Sequence, residues 1–494
     1  MVNHNGRFAA LMTFALGFVC LPATAEDWPQ FRGANADGVA RSTCPDVWDA
    51  TKNVRWKLPL EGEGWSCPVV WGDRVFITAA VRTDKPAEQA AARSQPEPPE
   101  NQGSQRSQGG RGGRGGRGGG FGGGRGANLT NADYRWEVIC LDAKSGDVKW
   151  RETARTGHPP LPRHGQNTFA TETPVTDGNR VYAYFGMTGL YCYDMEGKLQ
   201  WEKDLGTYKM RAGWGTGSSP ILFEGKLYLQ IDNDEKSFLV ALDAQSGEEA
   251  WRVDRNEPSQ YSTPIIWRNS VRSELVAGGQ VCRSYNPATG ELLWELDMSR
   301  GRSSATPLAV GDRLYVGTEG RSRGGFPGGN RGGNNGGSNG GEDEDGGGFL
   351  FAVNVGGSGD ITPHADSTTS EHVAWKIAKS GLEASSPILN DGYLYLLARR
   401  GGIVHCIDAE TGATAYRSRI PDARAFWASP WTSNNQVFCL DDAGTTHVLA
   451  NGPELKVISQ NVLGEQAWSS PAVANDTLFL RTTEHLYCIA AEKQ

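Results

Sequence analysis

Apolar and polar residues alternate along this chain in short runs, and the runs return at a regular interval. A small residue and a proline lead into two or three apolar residues, a turn and an alternating strand. The pattern reads CPVVWGDRVFI from Cys67, TPVTDGNRVYA from Thr173, SPILFEGKLYL from Ser219 and TPII from Thr263. It continues as TPLAVGDRLYV from Thr306, SPILNDGYLYL from Ser386, SPWTSNNQVFC from Ser429 and SPAVANDTLFL from Ser470. Alternating Val, Leu, Tyr and Phe between turn residues is the signature of half-buried strands. No sustained helical period accompanies it.

A second motif lies between the prolines. Ala241 to Trp251 reads ALDAQSGEEAW, and it returns as CLDAKSGDVKW from Cys140, SYNPATGELLW from Ser284 and CIDAETGATAY from Cys406. Cys192 to Trp201, CYDMEGKLQW, is one residue shorter. The Asp or Asn bonds amides just ahead of it, and the Gly takes the positive φ of the turn. The Trp supplies an apolar plate that wedges against a neighbour. Each unit therefore holds four short antiparallel strands.

A four-stranded unit repeating about every 45 residues is a propeller blade. Pro68, Pro174, Pro220, Pro264, Pro307, Pro387, Pro430 and Pro471 predict an all-β, eight-bladed propeller. The last unit ends at Leu486–Ile489 without an outer strand. Residues 53–60, which carry Trp56 with no turn motif ahead of them, are predicted to fill that place. Strands from both ends of the chain then close the ring and remove its exposed edges.

Two long gaps between prolines hold Gly-rich inserts, 82–133 and 320–348. Their composition cannot bury a core, so both are expected to be disordered. Both fall between the second and third strands of their blades, the first and the fifth, and so leave from one face. Residues 1–25 read as a signal peptide: Arg7, an apolar run from Phe8 to Leu21, and Ala23-Thr-Ala25 as the cleavage site. Residues 26–494 then form a single propeller, exported to the periplasm or beyond, with no transmembrane segment after cleavage. The formal net charge of −8 gives no general attraction to nucleic acid. Of the nine cysteines, Cys140, Cys192, Cys406 and Cys488 share one repeat position and read as small buried strand residues. Cys44 and Cys67 are the first pair to examine for a disulfide, given export.

The fully matched turn motif at Ala241–Trp251 resembles the repeat of the pyrroloquinoline-quinone (PQQ) propellers. That family includes quinoprotein alcohol dehydrogenases and the barrel-assembly propeller lipoprotein of Gram-negative outer membranes. The stretches DWPQFRGANADG from Asp27 and Phe169–Gly206 look like a secreted bacterial subgroup of PQQ-like propellers. The dehydrogenase resemblance implies PQQ, Ca²⁺, a catalytic Asp and an adjacent-cysteine disulfide. The chain shows no Cys-Cys pair and no recognisable calcium-type acid cluster. Asp142, Asp194, Asp243 and Asp408 belong to the turn motif. The expectation is therefore a non-catalytic scaffold with no cofactor or metal, binding another cell-envelope protein. The alternatives are a PQQ-dependent alcohol or sugar dehydrogenase and a polysaccharide-recognition propeller.

Two features stand out as contact sites. The loop 151–170 concentrates His158, Arg163 and His164, suited to an anion or a partner. Trp65, Trp427 and Trp468, like Tyr261, stand three places before a repeat Pro. Since blades seven, eight and one are neighbours, the three indoles are expected to gather at one side of the channel mouth.

Overall fold

The computed structural model describes residues 26–84, 132–298, 301–319, 348–364, 366–380 and 382–491. The signal segment and the bodies of both inserts lie outside these residues. The described chain forms eight sheets arranged as blades, each built on four antiparallel strands. Blade 1 shows the plan: β2 (Val69–Trp71), β3 (Arg74–Arg82), β4 (Tyr134–Asp142) and β5 (Val148–Gly157), after β1 (Val54–Pro59). Arg82 belongs to β3, so the first insert starts later than the composition suggests. Ala132 is fully buried, so it also ends sooner. Apolar clusters fill the space between successive blades. Tyr182 and Cys192 of the second blade, for example, pack with Leu227, Leu229 and Val240 of the third.

The ring closes as the pattern predicts. β1 is the outer strand of blade 8 and pairs antiparallel with His485–Ile489, Trp56 lying opposite Cys488. The seam between blades 8 and 1 has a further tie. The buried Arg481 guanidinium donates to Ser66 O at 3.3 Å, Ser66 Oγ at 2.7 Å and Thr78 O at 2.8 Å. Burial lowers its pKa to about 10.

The repeat tryptophans join one blade to the next. Trp201 of blade 2 donates its Nε1 to Ala244 O of blade 3 at 3.2 Å, and Trp150 donates to Met195 O at 2.8 Å. Trp56, Trp251 and Trp375 make the same bond to the next blade's turn. The shared Cys/Ala/Ser position lies directly across from the aromatic residue: Cys140 opposite Trp150, Ala241 opposite Trp251, Cys406 opposite Tyr416. A small side chain there leaves room for the ring. All eight described cysteines are buried free thiols, Cys44 and Cys67 included.

Two features were not foreseen. Blade 5 replaces its short turn with a long excursion, and Gly359–Asp360 pairs parallel with Trp294–Glu295 as a fifth strand of blade 4. The polar N-terminal stretch is a strap across the channel end where the first and second strands turn. Trp28 exchanges two 2.9 Å bonds with Val70 of blade 1. Arg32 donates to Pro387 O of blade 6 at 2.6 Å, and Ala40 N bonds Thr432 O of blade 7 at 2.9 Å. Blade 7 lacks the repeat Trp, and the strap supplies Trp48 there, stacked 6.3 Å from Phe438.

Gly247 has φ of +75°, and a Cβ there would lie 2.7 Å from the Trp201 ring. Gly72 also has a positive φ (+57°), but its Cβ would meet nothing within 4 Å. Gly72→Ala should cost about 1–2 kcal/mol, from backbone strain alone. Gly247→Ala should cost at least about 1 kcal/mol more, because it also unseats the indole. Urea unfolding of the two variants checks this; equal losses would show that the Trp201 seat contributes nothing.

Candidate functional site

The site grows from the residues that precede the eight prolines. Each begins an inner strand, and all eight line the central channel. Their hydroxyls link neighbouring blades. Cys67 N donates to Thr173 Oγ1 at 3.1 Å, Thr173 N to Ser219 Oγ at 3.0 Å and Ser219 N to Thr263 Oγ1 at 3.0 Å. The chain of bonds resumes from Thr306 N to Ser386 Oγ, Ser386 N to Ser429 Oγ and Ser429 N to Ser470 Oγ, at 2.8–3.0 Å. This is why Ser or Thr recurs there: the side chain takes the amide of the preceding blade, which would otherwise be buried unpaired. Between blades 4 and 5 the link passes instead from Ser303 N to Gln260 Oε1 at 2.7 Å.

Phe31 of the strap faces this channel from below, and the space above the ring is about 1050 Å³, part of it open to solvent. The open end is the insert-bearing face. Glu63, in the loop leading to blade 1, bridges Ala80 near the neck of the first insert. Arg302, in the loop leading to blade 5, bridges Glu319 at the start of the second.

The structure brings the three indoles together. Trp427 and Trp468 stack at 5.1 Å and 16°, and Trp65 lies 4.2 Å from Trp468. All three are half-buried and line the channel. Arg399 rests over Trp427 at 5.3 Å and shares Glu383 at 4.0 Å. Across the channel, Arg302 pairs with Glu319 at 2.6 Å beside Tyr261.

The basic loop is not one site. Arg151–Gly157 is part of β5. His158 is exposed and pairs with Asp133. Arg163 turns inward and is buried, its Nε 3.1 Å from Glu63 Oε1 and its plane over Phe169. Its charge is therefore committed within the fold. His164 stacks on Trp214 at 3.9 Å, which does line the channel. Burial, with the charge of Arg163, lowers its pKa and favours the neutral ring.

As to metal ligands, Glu465, Glu484 and His485 bring donor atoms within 4.8 Å of one another on the same face. Glu465 already accepts from Thr482 Oγ1 and Tyr487 OH, both at 2.6 Å. Glu319 is the sole carboxylate among the described channel-lining residues, and Arg302 holds it.

Sequence reasoning missed Glu172, which lies behind the channel wall between Thr171 and Thr173. It is 1% exposed. Burial raises its pKa to about 7, against a weaker opposing bond from Thr216. The unfolded chain ionises this carboxyl near 4.5, so stability is retained below that pH and lost as pH rises to about 7. The loss should be about 3 kcal/mol across that window. Glu172→Gln should flatten the fall, measured as the wild-type minus variant difference in unfolding free energy at pH 5 and pH 7.5.

Comparison with known proteins agrees with this architecture. The family model described as "Outer membrane protein assembly factor BamB" matches residues 137–272 and 186–327. No curated protein matches the chain. Among solved structures, BamB from Moraxella catarrhalis is similar at 13% identity and a TM-score of 0.50, over 71% of this chain and 91% of that one. The quinohemoprotein alcohol dehydrogenase from Comamonas testosteroni is similar at 11% identity and a TM-score of 0.52, over 95% and 81%. The quinohemoprotein alcohol dehydrogenase ADHIIG from Pseudomonas putida HK5 gives 10% identity and 0.51, over the same shares. At these identities the solved structures speak for the fold alone. The repeat, the sheet order and the family match over residues 137–327 agree: the chain is an eight-bladed β-propeller whose matched blades resemble the PQQ-like repeat.

Proposed function

We propose that this propeller is an exported, non-catalytic binding or assembly scaffold of the cell envelope, holding a protein partner on its insert-bearing face. The observation that carries the reading is the channel mouth. It offers a half-buried indole cluster, and its one lining carboxylate among the described residues is already paired to an arginine. Clustered Trp at the rim of a concavity suits recognition. The match to an assembly-factor family supports the same reading. The pattern of residues 1–25 supports export, and among the described residues no helix is long and apolar enough to cross a membrane.

The fold also resembles quinohemoprotein alcohol dehydrogenases, so the enzyme reading needs a direct test. A Ca²⁺ ion beside a quinone asks for about six to eight oxygen ligands. Here the channel presents Glu319, held by Arg302, while Glu172 lies behind the wall and favours its protonated form. Asn167 uses its Oδ1 on Thr168 N and Thr171 Oγ1, and its Nδ2 on Trp214 O and Thr216 O. This donor set does not suit the cation.

Incubation of the purified protein with PQQ and Ca²⁺, followed by gel filtration, should leave no quinone absorbance with the protein. A stoichiometric bound quinone with dye-linked alcohol oxidation would overturn the scaffold reading.

A further inference from the structure

We propose that the outer strand of blade 7, Val457–Val462, pairs edge to edge with the same strand of a second copy of this chain, making a two-fold symmetric dimer through the rim of the propeller. The surface lies apart from the channel, and the inference does not depend on what the channel holds.

An outer strand pairs on one side, so each blade presents a row of backbone N–H and C=O groups at the rim. Such edges recruit strands from other chains, and sheets guard them with charged side chains. Seven of the eight outer strands are guarded in this way. Each carries at least one Lys, Arg, Asp or Glu, such as Arg252 in blade 3, Lys376 in blade 5 and Arg417 in blade 6. Blade 7 is the exception, because its outer strand reads Val-Ile-Ser-Gln-Asn-Val. Ile458 is 43% exposed and Val462 50%. The strand pairs with Thr445–Ala450, and no other backbone bond to it is found among the described residues. The strap touches it through side chains instead. Ser459 Oγ donates to Asp46 O at 2.6 Å, and Asn461 Oδ1 accepts from Trp48 N at 2.9 Å. Those bonds hold the strand in place without pairing its edge.

The fold itself shows that such an edge accepts a further strand. On blade 4, Gly359–Asp360 adds to the outer strand beside Trp294–Glu295. Blade 7 has no such cover among the described residues. Its sequence favours its own copy as the occupant. In an antiparallel two-fold pair centred on Gln460, Ile458 lies opposite Val462 of the partner subunit, and the reverse pair repeats it. Two apolar cross-strand pairs then flank a neutral amide, and no like charges oppose one another within the strand. Alternate residues share a face, so Ile458, Gln460 and Val462 stand together while Ser459 and Asn461 stay turned to the strap. Pairing about a two-fold axis consumes both edges and stops at two chains. Six residues span about 20 Å, a smaller contact than a standard stable interface, so the dimer dissociates on dilution.

Sedimentation velocity of the full chain over a range of concentrations should show a reversible shift from monomer to dimer. Val462→Lys should weaken dimerisation at least tenfold, because it sets a charge opposite Ile458 of the partner subunit. Leu199→Lys, at a comparably exposed site (45%) on the outer strand of blade 2, should leave it unchanged. Both side chains are exposed, so both variants should keep the wild-type unfolding midpoint. A second measurement reads the register. Directly opposed residues of an antiparallel pair have Cα atoms about 4.5–5.5 Å apart, within reach of a disulfide. Gln460→Cys should therefore give a disulfide-linked dimer on mild oxidation, above the background of the wild-type chain, and Arg252→Cys on blade 3 should not. A monomer at every concentration, a dimer that Val462→Lys leaves intact, growth beyond the dimer, or a Gln460→Cys chain that dimerises without cross-linking would each overturn the proposal.

Discussion

Everything in this molecule depends on one strand pairing between the two ends of the chain. β1 completes blade 8, and until it does, the ring is an open stack with two raw edges. Edges of that kind are both a loss of backbone hydrogen bonding and a template for aggregation. The pairing of Val54–Pro59 with His485–Ile489 removes them, and Arg481 reinforces the seam by binding carbonyls of blade 1. That guanidinium is buried with no carboxylate among its hydrogen-bond partners, a costly arrangement in isolation. It is tolerated because the closed ring supplies oxygen acceptors from Ser66 and Thr78 at fixed positions.

A second layer of order runs around the channel. The Ser and Thr hydroxyls pass a backbone amide from blade to blade, and the following proline has no N–H that would need a partner of its own. The outer rim has its own circuit, in which an indole from one blade sits on the glycine of the next. The inner circuit sets the channel's width and the outer circuit sets the pitch of the blades. Together they leave the loops above the channel free to differ. That division explains how indoles can gather on one side and ion pairs on the other without disturbing the repeat.

The repeat itself was legible because it is local. Asp243, Ser246 and Gly247 lie within one turn, and each residue type reports its own backbone need. The closing strand was legible too, since Trp56 had the outer-strand pattern without a turn before it. What escaped were features made by residues far apart in sequence. Arg163 looked available because its partner, Glu63, lies 100 residues away. The strap's place across the channel was not legible because its partners, Pro387 and Thr432, sit in blades 6 and 7. Glu172 gave no signal, because a glutamate beside threonines reads as surface until the channel wall closes over it. The fifth strand at Gly359–Asp360 is two residues long and pairs in parallel, which no alternation of side chains can announce. At the channel, the indole cluster and Tyr261 followed from proline spacing, but the Arg302–Glu319 pair beside Tyr261 did not, because no shared repeat motif marks it.

The closing strand also sets an order of events. The strap and β1 are made before the blades they join: Trp28 can pair with Val70 once blade 1 emerges, but β1 has no partner strand until residues 485–489 do. β1 must therefore wait, unpaired, through the synthesis of seven blades. A chain stopped short within blade 8 would keep most of its repeats yet leave β1 without its partner strand and Trp56 without its seat. The fold thus carries its own check on length: burial of Trp56 reports that the far end has arrived.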